Sequence, residues 1–250
     1  MVINCLTTFP EFIENMKSYS IIKRAIEDGR VELNTVNIRE FSDDPNRRTD
    51  DYPYGGGLGM LMTCQPIVDA MHSIKNPGKR IYLGPAGKKL DQDLLNELSK
   101  EENLTFLCGH YEGVDQRVID NYIDMEISVG DYVLTGGEIP FMVVMDGITR
   151  LVPGVLKEDA SFEIESFYNG LLEHPQYTRP YEFEGKKVPD ILLSGDHEKV
   201  RLYNLKESLR LTKEKRPELY EQFMENNKEN KDIKKLLKEE GGNSVSYTHL

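Results

Sequence analysis

The chain is 250 residues long, 38% hydrophobic and 30% charged, with a formal net charge of −12. That is room for one large domain or a medium domain with a small one, and the apolar content excludes wholesale disorder. No apolar run approaches the ~18 residues that span a bilayer, and the acidic balance argues against nucleic acid unless positive charge is concentrated locally.

Through the first ~150 residues short apolar runs alternate with helical patterns, the signature of a parallel sheet covered by helices. "VINCLTTF" reads as a strand. "EFIENMKSYSIIKRAIEDG" reads as one helix closed by Gly29, a residue suited to a helix C-terminus. "VELNTVNI" is a second strand, "QPIVDAMHSI" a helix and "RIYLG" a strand. "DQDLLNELSK" is a helix that Asp91 can cap, because an Asp oxygen accepts from the free N–H groups of the first turn. "LTFLCG", "VDQRVIDNYI", "MEISVG" and "PFMVVMDGITRLV" continue as strand, helix, strand and buried helix. The expected domain therefore covers 1–154.

From 155 to 178 the texture turns polar and aperiodic, and a linker is expected. "HPQYTRP" and "KKVPD" are extended or turn segments, since a residue before proline avoids the helical region. From His197 the pattern is helical again, with Leu202, Leu205 and Leu209 on a narrow stripe, giving a small helical domain over 179–240. Lys199 to Arg216 carries seven basic residues against two acidic ones, a local excess of five positive charges. Such an element suits phosphate, although a solvated helix face has the same composition. The tail 241–250 has no pattern, and no structure is expected there.

The N-terminus "MVINCLTTFPEF" lacks a basic start followed by an apolar stretch, so no secretion signal is expected and the setting is cytoplasmic. Three widely spaced cysteines, Cys5, Cys64 and Cys108, form no disulfide framework or zinc motif and read as small apolar packing residues. "GPAGKK" is too short for a phosphate loop, and neither HExxH nor GxSxG occurs. What stands out is glycine after three strands: "GPAG" (84–87), "GHYEG" (109–113) and "VGDYVLTGG" (129–137). In parallel α/β sheets ligands bind at the carboxyl ends of strands, and glycine lets the main chain approach them closely. Loops rich in backbone and poor in cations suit an adenosine-bearing, positively charged ligand, with Glu112, Asp131 and Glu138 close in sequence.

The strings "DDYPYGGGLGMLM", "YLGPAGKKLDQ", "CGHYEGVDQRV", "SVGDYVLTGGEIP", "LVPGVL", "SFYNGLLEHPQYTRP" and "LSGDH" occur in this order. Together they resemble the bacterial tRNA (guanine-N1)-methyltransferase family of the SPOUT superfamily, from about Thr7 to Glu218. The resemblance implies an α/β fold whose sheet carries a deep trefoil knot, a rare exception to the rules of chain connection. It implies S-adenosylmethionine as methyl donor, bound in a bent shape, and a homodimer whose second subunit completes the site. Carried over by position, Gly109, Val129, Gly130, Asp131, Tyr132, Val133 and Leu134 contact the donor. Pro85, Tyr111, Gly113, Gly136 and Gly137 line the same pocket.

The reaction so implied is methyl transfer to N1 of the guanosine 3′ of the anticodon. N1 is protonated and a poor nucleophile, so the chemistry needs a base there and positive charge near O6. Glu165 matches the base position and Arg150 the charge-stabilising one. The family usually has aspartate at the position of Glu165; the added methylene makes Glu163 the fallback. Asp50, Tyr54, Gly55, Gly59 and Glu112 fall on the substrate side, and Arg201 and Arg210 of the basic helix on phosphates of the anticodon stem-loop. No metal ligands are expected, and the sequence leaves a divalent ion open. It also leaves open a non-catalytic RNA-binding protein on the same scaffold, or an enzyme acting on ribosomal RNA or a ribose hydroxyl.

Overall fold

A computed structural model describes residues 1–156 and 165–242 of the chain. The chain divides into two compact units, Met1–Asp159 and Ala160–Leu250.

The first unit is built on five parallel strands: β1 (Val2–Thr7), β2 (Glu32–Asn37), β5 (Lys79–Lys89), β6 (Asn103–Cys108) and β7 (Met125–Ser128). They are ordered β2-β1-β6-β5-β7. The remaining strands, β3 (Asp50–Asp51) and β4 (Leu61–Met62), form an antiparallel hairpin. Helices cover both faces of the sheet. On one side α1 (Pro10–Met16), α2 (Ser20–Glu27), α4 (Gln92–Leu98) and α6 (Glu138–Thr149) bury Ile13, Ile22, Leu94, Phe141 and Ile148 against Ile3, Cys5 and Phe106. On the other, α3 (Cys64–His72) and α5 (Gln116–Tyr122) bury Ile67 and Val118 against Leu6 and Leu107. Cys5 and Leu6 thus face opposite layers, as do Phe106 and Leu107, which is why these strands read as unbroken apolar runs.

Two local outcomes differ from expectation. The stretch 11–29 is two helices, not one, with Ser20 at φ +41° opening the second. Met16 and Ile22 are both buried in the same core, yet six residues apart they point well away from each other on a continuous helix. The break at 17–19 lets both turn inward. Strand β5 also runs beyond Gly84 to Lys89, with its register against β7 jumping between Leu83 and Lys88. Other local expectations hold: Asp91 accepts from the Leu94 N–H at 2.8 Å as the cap of α4, and Gly29 follows α2 at φ +66°. Cys5 and Cys108 are buried in the core, and Cys64 is half-buried.

The second unit contains a short hairpin, β8 (Glu182–Phe183) with β9 (Lys186–Lys187), and the helices α7 (His197–Lys215), α8 (Pro217–Asn226) and α9 (Lys231–Gly242). Its core is small: Leu171, Leu209 and Leu236 are buried, with Leu205, Tyr220 and Phe223 packed against them. The second half of the stretch expected to be a linker is folded onto these helices. Leu171 is 2% exposed, and the Leu172 N–H donates to Thr212 Oγ1 at 2.9 Å. Helix α9 extends through Gly242, and the rest of the expected unstructured tail lies outside the described residues.

Candidate active site

The strands β6, β5 and β7 are neighbours, and all three end on the same edge of the sheet. The glycine loops after β6 and β7, together with 84–85, which lie inside the irregular part of β5 rather than in a loop after it, line a cavity of ≈ 210 Å³. Gly109, Val129, Gly130, Tyr132, Val133, Leu134, Pro85, Tyr111, Gly113, Gly136 and Gly137 all line it. Asp131 does not: its carboxylate is exposed and takes Lys89 Nζ at 2.7 Å. Glu112, expected on the substrate side, is a wall residue of the same cavity, and so are Tyr82, His110, Ser128, Thr135 and Pro140. Ser128 and Pro140 stood in the motif already quoted. Tyr82 also opened a quoted motif, "YLGPAGKKLDQ", but was given no role there, because an aromatic in a strand is ordinarily core.

Close packing explains two of these glycines. A Cβ on Gly137 would lie 2.7 Å from Cys108 Cα and 2.9 Å from the Gly109 nitrogen, where main chain meets main chain. On Gly109 it would lie 2.9 Å from the Tyr82 hydroxyl. The Gly137 N–H donates to the Gly109 carbonyl at 2.9 Å, tying the β6 loop to the start of α6. Among the described residues no lysine or arginine lines the cavity. Its polar surface is main chain, hydroxyls, His110 and Glu112. Burial, and then the charge of Glu126, push the Tyr82 hydroxyl above its usual pKa, and burial pushes the Cys108 thiol up. Both stay protonated near neutral pH.

The hairpin β3–β4 is stitched to the same loops. Met62 N–H donates to Gly113 O at 2.9 Å, Glu112 N–H to Met60 O at 3.0 Å, and Asp115 N–H to Met62 O at 3.0 Å. Asp50 begins this hairpin, while Tyr54 at its tip is fully exposed and Gly55 has open space around it. Gly59 lies over Glu112: a Cβ there would sit 2.5 Å from Glu112 Cγ. The expected substrate loop is therefore joined to the cavity wall. At the base of the adjoining loop Asp115 caps α5, and its bonds to Arg117 hold its carboxyl well below the usual range.

Arg150 closes α6 in the first unit, half-buried, its N–H donating to Asp146 O at 3.2 Å. Glu165 is half-buried at the start of the described part of the second unit, and its carbonyl accepts from Tyr168 N–H at 3.4 Å. The alternative base, Glu163, lies outside the described residues. On α7, Arg201 bonds Glu198 and Asp232, each at 2.8 Å, and Arg210 bonds Glu207 at 2.8 Å and Glu214 at 3.4 Å. Among the described residues no group of three His, Cys, Asp or Glu could hold a metal ion, and no helix is long and apolar enough to cross a membrane.

A parallel sheet with a glycine-rich cavity at the carboxyl edge of three adjacent strands defines an α/β protein with its candidate ligand site where such sheets place one. The family described as tRNA (Guanine-1)-methyltransferase TrmD matches residues 1–222. A protein of Clostridium perfringens (strain SM101 / Type A) is 55% identical over 240 residues, covering 95% of this chain and 99% of that protein. One from Clostridium botulinum (strain Langeland) is 53% identical over 241 residues, 96% of this chain and 98% of its own. A third, from Clostridium tetani, is 51% identical over 240 residues, 95% of this chain and 98% of its own. All three carry the name tRNA (guanine-N(1)-)-methyltransferase. The chain belongs to the TrmD family of tRNA (guanine-1)-methyltransferases.

Proposed function

We propose that this chain transfers a methyl group from S-adenosylmethionine to N1 of the guanosine 3′ of the anticodon, position 37 of tRNA. The observation that carries this reading is the cavity itself. Its wall holds every residue the resemblance assigned to the donor except Asp131. The donor supplies an already activated methyl group; the chain's own residues must bind it, place the guanine and take up the N1 proton. The three adjacent loops bind and orient, and in-line placement of methyl and nitrogen contributes much of the rate enhancement.

Glu165 is the base that takes the N1 proton, and Arg150 offsets the negative charge that accumulates at O6. The hairpin residues Asp50, Tyr54, Gly55 and Gly59, with Glu112 beneath them, receive the guanosine after it leaves its stack, a step base-modifying enzymes require. Arg201 and Arg210 engage stem-loop phosphates. The sheet carries the trefoil knot of the SPOUT enzymes. In support, Leu83 and Lys88 of β5 both pair with Ile127, and Gly87 sits where the backbone of Glu126 and Ile127 passes too close for any Cβ. The working form is a cytoplasmic homodimer with each site completed by the partner, and the modules over 1–154 and 179–240 bind the donor and the tRNA respectively.

The test is single-turnover methylation of tRNA transcripts with labelled donor, the modified nucleoside then being mapped. Label at N1 of guanosine 37 is expected. Glu165→Gln keeps size and hydrogen bonding but loses basicity, so the rate should fall about 100-fold or more, in the range of general-base contributions, with donor and tRNA affinity held. Donor binding without any methylation would leave a non-catalytic RNA-binding protein. A wild-type rate in Glu165→Gln would move the base to Glu163.

A further inference from the structure

Glu138 is a carboxylate sealed in the first unit, 5% exposed, to which the roles above give no task. Both of its oxygens are taken. Thr7 Oγ1 donates to Oε1 at 2.5 Å, and His110 Nε2 lies 2.6 Å from Oε2. Thr7 is fully buried at the end of β1 and also accepts from the Phe9 N–H at 2.9 Å. The chain of contacts thus runs from β1, through the first residue of α6, to the loop after β6.

His110 is the receiving end. Its ring packs against Phe9 with centroids 4.7 Å apart, and its backbone N–H points at Met62 Sδ, 3.2 Å away. Its backbone bridges Gly136 in the antiparallel sense. Gly136 has to be glycine here, since a Cβ would lie 2.5 Å from His110 Nε2 and 2.8 Å from Glu138 Oε2. The imidazole is a wall shared by the donor cavity and a neighbouring one of ≈ 300 Å³ bounded by Phe9, Phe12 and Ile139. A buried carboxylate is expensive unless every oxygen is bonded. Here the bonds fix one ring, and that ring belongs to the loop 109–113 that lines the cavity.

We propose that Thr7, Glu138 and His110 form a positioning relay that holds loop 109–113 at the height the methyl donor requires. Thr7, which does not line the donor cavity, then tunes donor affinity through Glu138. The proposal rests on the cavity being the donor site. If the three residues only satisfied one another for stability, their loss would lower the melting temperature and leave loop and donor untouched.

The experiment uses the full chain and two readouts. In Thr7→Val, which keeps shape but strips the hydroxyl, the KM for S-adenosylmethionine should rise about tenfold with kcat within about twofold, the scale of one hydrogen bond to a charged group. Amide exchange at 109–113 in ligand-free protein should quicken by a similar factor, while β1 and β6 keep their protection. Thr7→Ser should restore both. Adding Thr7→Val to Glu138→Gln should cost less than the two single changes combined, because one acts through the other. Unchanged KM and unchanged exchange in Thr7→Val overturn the relay, as does failure of Thr7→Ser to recover them. If the wild-type chain bound no donor, the proposed function would fall, and the exchange at 109–113 would decide the relay alone. Where Glu138→Gln does not fold, Thr7→Val and Thr7→Ser still decide it.

Discussion

Around the cavity at the strand ends, no lysine or arginine lines the wall among the described residues, and the sealed carboxylate of Glu138 is bonded on both oxygens. Along α7 the arrangement is the reverse. Arg201 and Arg210 stand in solvent, each shared between two carboxylates. The first region is specified by contact: at Gly137 main chain lies against main chain with no space for an added carbon, and at Gly109 and Gly136 a side chain fills that space. The second is specified by charge, and charges at a surface can exchange partners at little cost. Ligand shape matters in the first region and ionic strength in the second, so substitutions should separate the two by size and by kind of effect.

The largest effect is expected at Gly137. Its absent Cβ would meet the backbone of Cys108 and Gly109, which the sheet holds in place, whereas the one absent at Gly109 meets the Tyr82 side chain, which has more freedom to yield. Gly137→Val should therefore weaken S-adenosylmethionine binding by about two orders of magnitude, the upper range for overpacking, and Gly109→Val by less. Calorimetric titration measures both, with circular dichroism as the check on folding. Equal affinity in Gly137→Val and the wild type would break the contact side of the comparison.

Much of this region was legible in the sequence, for a physical reason. Strand-helix alternation and glycine after three strands are local patterns, and the parallel sheet puts those strand ends on one edge. The three-dimensional neighbours were not legible. Nothing local says that Tyr82 reaches under Gly109, that Met62 meets His110, or that Thr7 finds Glu138 across 131 residues. The split between α1 and α2 was hidden for a related reason, since it satisfies burial of Met16 and Ile22 rather than any breaker residue between them. In the second unit the basic helix was visible, but its pairing was only half visible. The (i, i+3) partners Glu198 and Glu207 can be counted from the sequence, whereas Asp232 on α9 cannot.

A second substitution sharpens the comparison by asking what holds the helical unit together if its charges do not. Leu209 is 8% exposed in a core it shares with Leu171 and Leu236. Leu209→Ala should cost about 2 kcal/mol, the low end for such truncations because the site already touches solvent. Hydrogen exchange should register the loss in α7, α8 and α9 with donor affinity unchanged. Stability unmoved by this change would mean that the surface pairs, not the leucines, hold the helices.

The smallest free-energy change is expected at the arginines, and it tests the charge side directly. Removing Arg201 or Arg210 breaks exposed ion pairs, so each alanine variant should melt within a degree or two of the wild type, roughly the scale at which exposed pairs act. Their pairing does not bar them from RNA. To reach a phosphate Arg201 would give up two carboxylates, but both partners are solvated, so the exchange would be nearly balanced and counterion release from the RNA would drive it. Binding of tRNA should then weaken in both variants, and the slope of log affinity against log salt should shallow by about 0.7–0.9 for each phosphate that is no longer neutralised. Donor titrations on the same variants should match the wild type, since neither arginine lines the cavity. A slope that does not change would make Arg201 and Arg210 ion-paired solvent residues only, and the RNA contact would have to be sought on other lysines of the same helix, with Lys206 and Lys213 beside Tyr220 the first to replace.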